Sequence, residues 1–173
     1  MRGQGWYRGY RCRHPGWYED GSEFIRIFNV YVVEKLSTYT IEPVEGAKYG
    51  FTLNDKGYYQ SENIGIASSY AICKININNL ANCNVFIDCI SSGESKYDYG
   101  ILSEVDKTLS LNNISDTQNV YKLFKEQNSE DIQSVKYGVV NGTIYAKFIK
   151  DSSGNVGYDS LQFKVRFDYS GGE

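Results

Sequence analysis

From residue 47 onward, apolar side chains recur at alternate positions in short runs, and each run gives way to a Gly- or Asn-bearing turn signal after about 8 to 12 residues. That punctuation limits the fold more than any motif does. Runs so short, and so rich in Tyr, Phe, Ile and Val, suit pleated strands rather than helices, and many of them at this spacing build an antiparallel β-sandwich. Eight strands are expected, at residues 49–53, 58–62, 70–77, 84–89, 99–103, 133–137, 143–150 and 161–169. Gly57, Asn63, Asn78, Asn79, Gly93, Asn141, Gly142 and Gly154 mark the turns between them. Within 70–77, Ala71, Cys73, Ile75 and Ile77 fall on one face and should point to the core, opposite Tyr70, Ile72, Lys74 and Asn76. Within 161–169, Leu161, Phe163, Val165 and Phe167 alternate with Gln162, Lys164, Arg166 and Asp168, a half-buried strand with one wet face. Residues 143–150 place Ile144, Ala146, Phe148 and Lys150 on one side and Tyr145, Lys147 and Ile149 on the other. Residues 105–130 are the least regular, and 120–124 fits either a short strand or one helical turn.

Ahead of the sandwich domain, 47–173, residues 1–46 divide into an arm, a long strand and a connector. The arm, residues 1–20, carries four arginines against Glu19 and Asp20, a net charge of +2, with five large aromatics interleaved. Gly3, Gly5, Gly9, Pro15 and Gly16 are expected to break any regular element there, so the arm cannot build a core of its own. Arginine and large aromatics are the anchors of buried interfaces, which makes Trp6, Tyr7, Tyr10, Arg11, Arg13, Trp17 and Tyr18 candidate partner contacts. Folding back onto its own domain is the alternative. Residues 23–34, EFIRIFNVYVVE, have strand composition with apolar residues on both faces, so Phe28 and Val30 join the candidate contacts. Such a strand wants cover on both sides, which either a second copy of the chain or the sheet of its own domain can supply. Residues 36–48 read as a polar connector, with the domain boundary near Gly46.

A length of 173 residues leaves room for one domain with an appendage, and 41% hydrophobic against 23% charged residues is ordinary globular usage. A net charge of −3 supplies no global basic field, so general attraction to nucleic acid is not expected. No apolar run approaches the roughly 18 residues that propose a membrane-spanning helix, so membrane insertion is not expected either. The opening MRGQGWYRGY lacks the apolar stretch of a signal peptide, and synthesis in a bacterial cytoplasm is the expectation. Cys12, Cys73, Cys83 and Cys89 form no CxxC pair, which argues against a zinc ribbon or a thioredoxin-like motif. They are either free buried thiols or include a disulfide such as Cys73 with Cys89.

Motifs for phosphate cradles, nucleophile elbows and zinc proteases are missing from the sequence. His14, the single histidine, lies in the arm, where an interface contact accounts for it better than catalysis. Asp88, Glu94, Asp98, Glu104 and Asp106 cluster in sequence, but clustering in sequence does not place two carboxylates across a glycosidic bond. The run DSSGNVGYD, residues 151–159, has oxygens that could wrap calcium, yet Asn, Gly and Ser are what a hairpin turn uses. No catalytic residue, metal site or cofactor is therefore expected, and the chain is not read as an enzyme. Tyr58, Tyr59, Tyr97 and Tyr99 lie near strand ends, where a ring can stack on a sugar face while its hydroxyl hydrogen-bonds. They are the candidate glycan contacts.

With the strands placed, residues 49–169 resemble a domain found in phage and prophage structural proteins of gut Firmicutes and in some surface proteins of those bacteria. The matching pieces are YGFTLNDKGYYQSEN at 49–63, SSYAICKI at 68–75, YDYGILSEVDKTLS at 97–110 and IYAKFIKDSSGNVGYDSLQFKVRF at 144–167. The resemblance implies a jelly-roll-like sandwich on a virion or cell surface and brings no functional residue with it. The expectation is an all-β protein, an antiparallel β-sandwich of jelly-roll type with an extended N-terminal arm and strand. Its expected role is that of a virion component: a capsid decoration, head fibre or tail-associated protein. Its partners would be other virion proteins and further copies of itself, with host or mucosal glycans as a further class. A carbohydrate-binding module of a bacterial or phage surface protein is the alternative.

Overall fold

The computed structural model describes residues 8–17, 23–32, 36–94, 97–104, 120–123, 131–153 and 157–169, and every regular element among them is a strand. The chain divides into two compact units, residues 1–36 and 37–173. The first contains β1 (Arg8–Trp17) and β2 (Glu23–Val32), an antiparallel ribbon registered from Arg8 opposite Val32 to Trp17 opposite Glu23. Much of the expected arm is thus a strand, and the long strand of 23–34 pairs with it. Both strands of a two-stranded ribbon are edges, where a proline nitrogen facing away from the partner costs no ladder bond, so Pro15 and its glycines are tolerated.

The second unit holds β3 (Thr38–Pro43), β4 (Phe51–Leu53), β5 (Tyr59–Ser61), β6 (Tyr70–Asn78) and β7 (Asn84–Ser92). They are followed by β8 (Tyr99–Ser103), β9 (Val120–Leu123), β10 (Gln133–Gly138), β11 (Gly142–Ile149) and β12 (Ser160–Asp168). One antiparallel sheet runs β3-β6-β11-β8-β9 and the other β10-β7-β12-β5-β4. Pairing is nested along the chain: β5 with β12, β6 with β11, β7 with β10 and β8 with β9. All eight expected strands are present within a few residues of their expected ends. The 36–48 connector is a correction, because β3 extends the sheet along β6 with Ile41 opposite Ile75, and the boundary falls at 36 rather than near 46. Residues 120–123 resolve as strand, and most of 105–130 lies outside the described residues.

Alternation fills the space between the sheets. Cys73, Ile75, Ile77, Ile144, Ala146 and Phe148 meet Val85, Ile87, Cys89, Leu161, Phe163 and Val165, all buried in one core. Tyr59 stacks on Phe163 at 5.6 Å, and Phe51 tilts against the same ring at 5.4 Å. Cys73, Cys83 and Cys89 are free and buried, so the Cys73–Cys89 disulfide is not formed; the side chain of Cys12 lies outside the described residues. Burial pushes the Cys73 thiol up to about 12 and raises that of Cys89 as well, so both behave as inert core residues. The Tyr70 and Ile72 face is drier than alternation alone suggests. Ile72 and Ile101 are buried there on either side of Lys147, whose Nζ lies 4.5 Å from the Tyr70 ring centre. Desolvation lowers the Lys147 pKa.

Candidate binding groove

Asn54 organises the corner from which the groove is built. Its backbone N–H donates to the Tyr58 carbonyl at 2.8 Å, and the N–H of Gly57 donates to the Asn54 carbonyl at 3.1 Å. Its side-chain oxygen accepts the N–H groups of Lys56 at 3.1 Å and Tyr58 at 2.9 Å, a local closure that asparagine makes readily. Gly57 completes the turn at φ 78°, in the region glycine tolerates at least cost. The Asn54 amide nitrogen then donates to Gln60 Oε1 at 3.3 Å and Gln162 Oε1 at 3.0 Å. The β4–β5 turn is thereby tied to the outward residues of β5 and β12.

Tyr58 leaves this turn to line a groove of about 200 Å³ with Lys56, Ile90, Tyr158 and Gln162. Ile90 of β7 is registered opposite Gln162 of β12, so both lie on the outward side of the sheet. Tyr158 comes from the turn before β12, where its N–H donates to Ser92 Oγ at 3.2 Å, and it is 46% exposed. The groove therefore offers two phenol rings, an aliphatic floor, an ammonium group and an amide. Asn54 takes one lone pair of the Gln162 carbonyl, leaving the other and the amide NH2 for a ligand. Farther along the same face, Arg166 Nε donates to Asp88 Oδ2 at 3.1 Å and its guanidinium lies over Phe86 at 4.5 Å. Partial burial pulls the Asp88 pKa up, but hydrogen bonds from Arg166 and Ser134, with the charges of Arg166 and Lys164, hold it below the usual carboxylate range.

The expected aromatic contacts are not brought onto one platform. Tyr58 is in the groove, whereas Tyr59, one residue on, is turned inward against Phe163 and is committed to the core. Tyr97 is 50% exposed in the turn before β8, and Tyr99 is half-buried on β8, in the opposite sheet. Tyr10, Arg11, Arg13 and Trp17 lie on β1 and Phe28 and Val30 on β2, with Tyr10 registered opposite Val30. Trp6, Tyr7 and Tyr18 lie outside the described residues. The described oxygens of 151–159 do not converge. Asp151 Oδ1 accepts the Ser153 N–H at 2.8 Å as in an ordinary turn, while Asp159 is buried with Lys150. Among the described residues, no cluster of three or more His, Cys, Asp or Glu side chains is placed to hold a metal ion.

Lys56, Ile90, Tyr158 and Gln162 are the groove residues that sequence reading passes over. The alternation of β12 marks Gln162 as outward, but only the pairing of β7 with β12 sets it beside Ile90. Comparison with family models, with curated proteins and with solved structures gave no match. The chain is defined by its fold and groove: an all-β sandwich with an amphipathic cleft on one outer face.

Proposed function

We propose that this is a virion structural protein, attached to its assembly through residues 1–36 and displaying the sandwich outward. The observation that carries the reading is the division of the chain into a two-stranded ribbon and a sandwich with its own core. A lone two-stranded hairpin is marginal in water, so a ribbon of Arg- and aromatic-rich sequence gains most by adding to a partner. The nested pairing of β5–β12 fits a jelly-roll wrap, an arrangement used in capsid and lectin domains, and so supports the same reading. In this role the protein binds and displays; it does not catalyse. Light scattering on the full chain should return an oligomer, and on residues 37–173 a folded monomer. The same number of copies for the two would count against attachment through residues 1–36 among copies of the chain.

The groove favours a second reading, carbohydrate binding by the displayed sandwich. Tyr58 and Tyr158 can stack on the C–H faces of a pyranose while Gln162 and Lys56 meet its hydroxyls, a division of labour that suits an amphipathic ligand. Tyr58→Ala and Tyr158→Ala should each weaken glycan-array signal by about tenfold, the scale of 1.4 kcal/mol. Tyr97→Ala should leave it unchanged. Binding that survives the loss of both groove tyrosines would remove the groove from consideration.

A further inference from the structure

At the end of the sandwich where β11 runs out and β12 begins, Lys150 and Asp159 face each other away from solvent, with side-chain exposures of 0% and 3%. Lys150 continues the core-facing alternation of Ile144, Ala146 and Phe148, so its amine is delivered into the interior by strand phase alone. Asp159 has φ 49° and is held from the other side: its Oδ2 accepts the Gly65 N–H at 2.9 Å and is also in contact with Lys150 Nζ. Its Oδ1 is buried without a hydrogen-bond partner. An ionised carboxylate with one sealed, unpartnered oxygen is costly to keep away from water.

A second carboxyl stands by. Asp98 is 3% exposed, fixed by the N–H groups of Glu94 at 2.9 Å and Asp151 at 3.2 Å, and packed so tightly under Gly93 that a Cβ there would lie 2.7 Å from its own. Burial raises its pKa; those two N–H groups oppose the shift, the charge of Asp159 adds to it and that of Lys150 opposes it. Burial thus favours the protonated form of a carboxyl that is tied through the Asp151 N–H to the residue next to Lys150, which places it to move a proton there.

We propose that Lys150 and Asp159 condense into an intramolecular isopeptide bond, with Asp98 relaying the proton. Uncharged Nζ attacks Cγ of Asp159; the N–Cγ bond forms and the Cγ–Oδ1 bond breaks. The proton lost by nitrogen passes through the Asp98 carboxyl to the departing hydroxyl, which leaves as water. No oxidant, reductant or cofactor is consumed. Oδ2 stays as the amide oxygen, still accepting from Gly65, and the orphaned Oδ1 is the atom that departs. The product therefore has no sealed oxygen lacking a partner.

The test is the intact mass of the purified full chain together with fragmentation of its tryptic peptides. The expected mass is about 18 Da, one water, below that of the sequence, with trypsin failing to cut after Lys150 and the loss mapped to a cross-link between 150 and 159. Lys150→Arg should restore the full mass, whereas a cyclic imide at an aspartate would persist in that variant and overturn the proposal. Asp98→Asn should fold with an unchanged far-UV spectrum but form the bond roughly 100-fold more slowly and without the parent's pH dependence. A native chain of full mass that trypsin cuts after Lys150 leaves an ion pair and nothing more.

Discussion

Asp88 and Arg166 face solvent on the same sheet as the groove, and their coupling has a sign that can be measured. A carboxylate whose pKa is depressed in the folded state contributes stability that is fully present above its unfolded value, about 4, and is lost as pH falls through the folded value. Arg166 is half exposed, so screening holds the contribution to about 0.5 kcal/mol. Asp88→Asn should therefore lower stability at pH 7 by that amount in urea titration and converge with the parent below about pH 4. A deficit that stays constant down to pH 3 would show that the pair does not supply it. Lys150 shows how far one residue can be read in advance: its phase marks it as inward, but the Asp159 carboxyl that meets it lies across a turn whose path no periodicity encodes.

Elements are read best where alternation is strict. Strands β6, β7, β11 and β12 carry the core and stand where their sequence puts them, because a one-residue slip would turn each apolar set to water. β3 is lost to sequence reading because it is an edge strand: Thr38, Thr40 and Glu42 are exposed, and only Tyr39 and Ile41 pack against the core. β1 is masked by glycines and Pro15, which a ribbon edge accepts. Close approach between elements is equally silent in sequence until pairing is known. Gly100 of β8 lies where an added Cβ would meet Ser91 Oγ at 2.8 Å and Leu161 Cδ1 at 3.0 Å, both from the facing sheet. Gly100→Ala should thus cost about 1 to 3 kcal/mol by forcing the sheets apart, seen as a lower urea midpoint at unchanged slope. Adding Ser91→Gly should recover part of the loss, since it removes the first clash; equal destabilisation in the single and double variants would mean that Gly100 serves backbone conformation instead.

For the whole molecule, the two units differ in what they can bury. Residues 37–173 close a core between two five-stranded sheets, with Phe148 and Phe163 at 0% exposure, and its central strands are paired on both sides. The described part of residues 1–36 is two strands, each with one partner. Three or more strands with a shared apolar face, or packing on another element, are the usual requirement for independent stability. Residues 37–173 should accordingly fold alone and unfold in urea as one transition, within about 0.5 kcal/mol of the sandwich transition in the full chain. Residues 1–36 as an isolated peptide should give no cross-strand NMR contacts between Tyr10 and Val30. Loss of cooperative unfolding from 37–173 would mean that the sandwich depends on the ribbon, and the ribbon would then be part of the fold instead of the means by which a finished fold is attached.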